Sequence, residues 1–116
     1  APRIFYVNWF RKGDDGRWLW PGFGENCRVL KWMCERVDGK VGAADTSIGL
    51  MPKREDLDLS GLSVSPRDME ELLRVDSHAW KTESSGIEEF FGQFGSRLPE
   101  RLKAQLENFK KRLCRF

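Results

Sequence analysis

The period of the apolar positions changes along this chain, and the changes divide it into segments. Ile4-Phe5-Tyr6-Val7-Asn8-Trp9-Phe10 is dense in aromatic and β-branched residues, which predicts a buried strand. Lys12-Gly13-Asp14-Asp15-Gly16 is a turn cluster, and Arg17-Trp18-Leu19-Trp20 is a second short apolar piece suited to be a hairpin partner. Pro21-Gly22-Phe23-Gly24 interrupts regular structure. From 25 to about 37, Val29, Leu30, Met33, Cys34 and Val37 recur at helical spacing and predict a helix with one apolar face. Asp38-Gly39 supplies its stop. Residues 40–64 carry Gly, Pro, Asp and Ser with little periodicity and read as a long ordered connection, packed through Ile48, Leu50, Leu57, Leu59 and Leu62.

Three more helices are expected. Ser65 can cap the first, with Pro66 at its first helical position, Asp68 closing a capping box, and Met69, Leu72 and Leu73 as its buried side. Asp76 can cap the second, along which Trp80, Ile87, Phe90, Phe91 and Phe94 keep a helical stripe. Gly86 and Gly92 each cost that helix up to about 1 kcal/mol relative to Ala. Pro99 opens the last, where Leu102, Leu106, Phe109 and Leu113 repeat at helical intervals. The expected fold is α+β: a short aromatic strand or hairpin and a Gly-rich loop, then about four helices. It forms one segment, divided into a strand–loop–helix part (1–39), a connection (40–64) and a helical tail (65–116).

Composition narrows the function classes. The 116 residues suffice for one modest core. A net charge of +2 gives no reason to expect nucleic acid or a membrane as partner. The charge is uneven, since residues 97–116 hold seven Lys or Arg against two Glu. That end suits the negative pole of a last helix. No apolar run approaches the roughly 20 residues that span a bilayer. No charged n-region with an apolar h-region opens the chain, and Ala1 before a strand-like run reads as a cut or processed end. Cys27, Cys34 and Cys114 are odd in number and lack metal-ligand spacing, so reduced thiols in a cytoplasmic setting are expected, buried as small apolar residues.

Seven of the 14 aromatic residues lie within the first 23 positions: Phe5, Tyr6, Trp9, Phe10, Trp18, Trp20 and Phe23. Such density beside Gly-rich backbone has two readings. One is a hydrophobic core seam, the usual fate of aromatics. The other is a slot for a flat ligand. Phe23, between two glycines, sits on bendable backbone, and a helix start follows with free N–H groups.

Asn8-Trp9-Phe10-Arg11-Lys12, then Trp18-Leu19-Trp20-Pro21-Gly22-Phe23-Gly24-Glu25-Asn26 and Arg28-Val29-Leu30, resemble the signature near the C-terminus of the GTP-dependent phosphoenolpyruvate carboxykinases. That family's pattern runs NWFRK, a short turn, FLWPGFGEN and RVL. A looser similarity continues through Ile48-Gly49-Leu50-Met51-Pro52-Lys53, Leu57-Asp58-Leu59-Ser60-Gly61-Leu62 and the helical tail. The resemblance implies a C-terminal, guanine-nucleotide-binding segment of a lyase that converts oxaloacetate and GTP to phosphoenolpyruvate, GDP and CO₂ in gluconeogenesis. Phe10, Trp18 and Phe23 fall where the family sets three aromatics around guanine. Asn26 falls where an amide meets the base edge. Gly22, Gly24 and Glu25 complete the loop, with Trp9 beside it. Trp18 departs from the usual Phe, and Cys27 from a small residue.

Stacking on aromatic faces contributes about 1–3 kcal/mol per base but does not choose among bases. Choice must come from the edge. Guanine offers an acceptor at O6, where adenine offers a donor. A donor from the Asn26 amide, or from the backbone N–H groups of residues 24 to 26, would discriminate, because a polar mismatch in a desolvated pocket is heavily penalised.

The resemblance also implies what must come from elsewhere. There is no G-x-x-x-x-G-K-[ST] phosphate loop. The family's Mn²⁺ takes a Lys, a His and an Asp, and the only histidine, His78, lies in a predicted helix start. The segment is therefore expected to be inactive by itself and to work with the remainder of the carboxykinase chain, as part of a monomer. Arg11 and Lys12 read as solvated turn charges. The alternative is a non-enzymatic helical binding module for RNA or a protein, which needs the basic tail and the aromatics to cooperate across some 75 residues.

Overall fold

The computed structural model describes residues 1–116. Its regular elements are α1 (Asn26–Val37), β1 (Ala44–Thr46), β2 (Gly49–Met51), α2 (Pro66–Leu73), α3 (Ser77–Gly92) and α4 (Glu100–Arg115), with short 3-10 turns at Phe23–Glu25, Arg54–Asp56 and Gly95–Arg97. The class is α+β, as expected from the pattern. The chain packs as two compact units, Ala1–Ala44 with Met51–Arg74, and Asp45–Leu50 with Val75–Phe116.

The first unit closes on Trp32 of α1, Leu57 and Met69 of α2, all buried, flanked by Met33, Val41, Ala43, Leu59, Val64, Leu72 and Leu73. The two helices start and stop as their residues dictate. Ser65 accepts the backbone N–H of Asp68, with Pro66 in the first turn. Gly39, at φ 72°, follows the end of α1 in the left-handed region that glycine adopts without penalty. The buried face of α1 is only partly the predicted one, for Met33 packs on the core and Val29 is half-buried. It centres on Trp32, so Leu30, Cys34 and Val37 lie outward, Leu30 and Val37 with about half their surface open. Each residue advances about 100° around a helix, so Cys34 lies roughly 200° from Trp32. Cys27 and Cys114 are exposed as well, so none of the three thiols takes the buried place expected of it.

Residues 4–10 form no strand. They keep a two-residue alternation, with Val7 and Trp9 half-buried and Ile4 and Tyr6 about nine-tenths exposed. Within this chain no neighbouring strand offers them a ladder, and strand backbone is stable only with its polar groups paired. Phe5 instead sets its edge against Trp32, centroids 6.2 Å apart. Strand pairing appears in the stretch read as a connection, between β1 and β2. Two residues join these strands. The Thr46 hydroxyl donates to the Gly49 carbonyl at 2.7 Å, and Gly49 has φ 129°.

In the second unit α3 packs on α4. Asp76 caps α3 by accepting the N–H groups of His78 and Ala79. Trp80 meets Phe109 edge-on at 6.0 Å, and Leu106 and Leu113 are buried. Ser84 is also buried, its hydroxyl returned to the Lys81 carbonyl at 2.7 Å. Only part of the predicted α3 stripe turns inward. Phe90 and Phe94 stay about half exposed and pack on each other, centroids 5.4 Å apart.

Candidate functional site

The site begins with a tight hairpin. The Gly13 N–H donates to the Arg17 carbonyl (2.9 Å), the Gly16 N–H to the Gly13 carbonyl (2.9 Å) and the Leu19 N–H to the Arg11 carbonyl (3.0 Å), and Lys12 and Trp18 bridge across it. The hairpin partner proposed for 17–20 is thus found, paired with 11–13 and not with 4–10. Gly16, at φ 77°, makes the reversal, a backbone state open to glycine. Leu19 and Trp20 are buried and anchor the second arm.

Alternation along that arm turns Trp18 outward, where it meets Phe10. Their centroids lie 5.8 Å apart with planes at 68°. Both rings stay largely open, Phe10 73% and Trp18 51% exposed. The Lys12 ammonium sits 4.5 Å over the Trp18 ring, a cation–π contact.

Two guanidinium groups tie this hairpin to α2. Arg11 donates to the carbonyls of Leu72 (3.1 Å) and Arg74 (3.2 Å) and reaches Glu71 (3.4 Å), closing the carbonyl end of the helix. Arg17 pairs with Asp68 in the first turn at 3.0 Å. Arg11 is therefore not a solvated turn charge. Asp68 uses its carboxylate on Arg17 in place of the reciprocal capping-box bond. The carboxyl groups of Glu71, beside Arg74, and of Asp15, accepting the Arg17 backbone N–H, are held below their ordinary values.

The Gly-rich turn follows. Gly22 takes φ 130° and ψ −177°, a conformation essentially restricted to glycine. The Glu25 N–H then donates to the Gly22 carbonyl at 3.1 Å, and the Asn26 N–H to the Phe23 carbonyl. Of the backbone N–H groups at 24–26 proposed as base readers, those of Glu25 and Asn26 are occupied inside the turn, and Gly24 keeps the one without a partner. The 3-10 winding causes this, because it closes bonds one residue sooner than an α-helix does. Phe23, at the turn's start, is 92% exposed and makes no ring contact.

Behind the turn Trp9 leans on Trp20, centroids 6.2 Å apart at 41°, and the Trp20 indole N–H donates to Asn26 Oδ1 at 2.8 Å. The Glu25 carboxylate is bound to Arg28 at 2.6 Å, and Arg28 continues to the Asp58 carbonyl at 2.7 Å. Lys31 pairs with Asp58 at 3.1 Å. The Asp58 carboxyl lies far below the usual carboxylate range, first through the Ser60 hydroxyl and then through Lys31. These bonds hold the helix start against the loop at 58–60.

The structure thus brings Phe10 together with Trp18, and Trp9 together with Trp20 and Asn26. Phe23, Gly22 and Gly24 lie on the turn between. Three residues were read from the sequence without the bonds they make here: Trp20 as one ring of the aromatic cluster, Arg11 as a solvated turn charge, and Arg17 as part of the second hairpin piece. The spacing of the two arginines across a turn, matched to an eight-residue helix, was their only signal. Elsewhere, His78 is exposed at the start of α3, and no cluster of His, Cys, Asp or Glu converges as a metal site. No helix is long and apolar enough to cross a membrane. Several charges of the basic tail are engaged: Lys103 with Glu100, Lys110 with Glu88, and Arg112 with the Ser47 carbonyl. Glu88 raises the Lys110 ammonium above its ordinary value.

Comparison with known proteins gives one consistent result. A family profile described as the phosphoenolpyruvate carboxykinase C-terminal P-loop domain matches residues 1–112. The chain is 49% identical over 112 residues to a phosphoenolpyruvate carboxykinase [GTP] of Paenarthrobacter aurescens (strain TC1). It is 54% identical over 113 residues to the protein of that name from Neocallimastix frontalis. Each alignment covers 97% of this chain and 18% of the relative, so the chain spans about a fifth of the length of the curated relatives it matches. The hairpin, the glycine-bent turn and the helix start behind it therefore belong to a member of the GTP-dependent phosphoenolpyruvate carboxykinase family, in its C-terminal domain.

Proposed function

We propose that this chain is the C-terminal, guanine-holding segment of a GTP-dependent phosphoenolpyruvate carboxykinase. The reaction of the whole protein is then oxaloacetate plus GTP giving phosphoenolpyruvate, GDP and CO₂, a gluconeogenic step in the cytoplasm. The observation that carries the reading is the Phe10–Trp18 pair, two large rings kept open to solvent by a hairpin bonded at both ends to α2. Rings fixed outward against their hydrophobic tendency suit a flat ligand.

In this reading Phe10 and Trp18 form one wall and Phe23, free on its turn, closes the other. Asn26 meets the base edge. Gly22 and Gly24 shape the loop, Glu25 braces the helix start through Arg28, and Trp9 backs Trp20. The phosphates, the Mn²⁺ and its ligands, and the reacting groups come from the remainder of the carboxykinase chain, with which these 116 residues form one monomer. Neither nucleic acid nor a membrane is a partner. The segment alone turns nothing over.

Phe10→Leu and Trp18→Leu in the full-length carboxykinase test this. Each is expected to raise KM for GTP by about 5- to 100-fold, the loss of one stacking face. An unchanged KM in both variants would refute the clamp. Measurable turnover by the purified 116-residue chain would refute its dependence on the rest.

A further inference from the structure

We infer that Trp20 is a positioning residue: its indole N–H fixes which end of the Asn26 amide faces the nucleotide, and so sets the preference between GTP and ATP. The inference rests on the proposed function, in which Asn26 meets the base edge.

The two ends of an asparagine amide are nearly the same size and opposite in hydrogen bonding. An unrestrained amide can rotate and present either its NH₂ or its oxygen. A pocket with such a residue would accept a base carrying either an acceptor or a donor at the 6-position. Here rotation is blocked. The indole Nε1–H is a donor only, so it can pair only with Oδ1, as it does at 2.8 Å. Rotating the amide would turn NH₂ against N–H and leave the indole N–H unpaired. That is most unfavourable where the donor cannot reach water, and Trp20 is only 7% exposed.

The indole itself has little freedom. Trp9 leans on its ring, and its neighbour Leu19 is buried. On the far side the Asn26 backbone is held by its bond to the Phe23 carbonyl. With Oδ1 engaged, the Asn26 NH₂ is the group left without a partner, and it can only donate. A donor there donates to the O6 of guanine and opposes the amino group of adenine.

The experiment compares kcat/KM for GTP and for ATP in the full-length carboxykinase carrying Asn26→Ala, Trp20→Phe, or benzothienylalanine in place of Trp20. The last keeps the bicyclic shape and replaces N–H by sulfur, so it decides the matter if Trp20→Phe folds poorly. Asn26→Ala should collapse the GTP/ATP ratio. Both Trp20 changes should lower it by about tenfold, mainly through a gain with ATP, because the released amide can now offer its oxygen to adenine. Mere loss of packing would weaken both nucleotides together and leave the ratio alone. If Asn26→Ala collapses the ratio while neither Trp20 change moves it, the positioning role is wrong and the base reading stands. If Asn26→Ala also leaves it unmoved, the base reading fails and the role of Trp20 with it.

Discussion

The aromatic hairpin and the α3–α4 pair both carry rings in contact, yet they hold them for different reasons. On α3, Trp80 meets Phe109 beside buried Leu106 and Leu113, and rings on the outer side, Phe90 and Phe94, merely rest on one another. Burial there follows helical period, and no side-chain bond is needed to aim a ring. In the hairpin, Phe10 and Trp18 are kept outward by backbone bonds across the turn and by Arg11 and Arg17 reaching α2. Exposed rings left to packing alone are a surface feature. Exposed rings secured by directional bonds at both ends of a support are held in one place, and that difference supports the proposed ligand wall on the hairpin.

Truncating the support should matter most for stability. Met69→Ala, at 1% exposure under the hairpin's helix, is expected to cost about 2–5 kcal/mol in denaturant unfolding of the full-length protein. Leu113→Ala should cost a similar amount, and unlike Met69→Ala it should leave KM for GTP unchanged. Equal effects of the two on KM would erase the contrast. Gly22→Ala comes next. Its added Cβ meets no neighbour, so the penalty is backbone strain alone, about 1–3 kcal/mol, read as a lower unfolding midpoint together with a raised KM for GTP. Arg11→Leu should cost about 1 kcal/mol through its bonds to the end of α2, with a larger effect on nucleotide affinity than on stability.

The smallest effect is electrostatic and depends on pH. Asp58 and Glu71 titrate below their ordinary values in the folded chain, so the bonds that hold them stabilise it fully above the ordinary carboxylate range, near pH 4. That contribution disappears as pH falls through the depressed folded values. Asp58→Asn should therefore narrow the stability difference between pH 7 and pH 3 in thermal unfolding, and a variant with the full difference would show that the Lys31–Asp58–Ser60 group contributes nothing.

What could be read from residues alone divides along the same line. Caps and stops were legible because each is a local bond: Ser65 and Asp76 cap where they should, and Gly39 ends α1. The choice of buried face on α1 was not. Leu30, Cys34 and Val37 point one way, while the core is organised by Trp32, whose partners Leu57 and Met69 are distant in sequence. The strand expected at 4–10 has the right composition and the right alternation, but a ladder needs a second strand. In the site, the rings and the turn were visible as a motif. The bond from Trp20 to Asn26 and the arginine ties to α2 depend on three-dimensional proximity that no spacing rule reports, whereas the Glu25 and Asn26 N–H groups are engaged locally, by a turn that winds as 3-10 where an α-helix start was expected.

The most direct measurement is the structure of the full-length carboxykinase with GDP bound. Guanine is expected between the Phe10–Trp18 pair and the ring of Phe23, with the Asn26 NH₂ donating to O6 and the Trp20 N–H still on Oδ1. A base bound away from these rings, or one whose O6 faces the Asn26 oxygen, would contradict it.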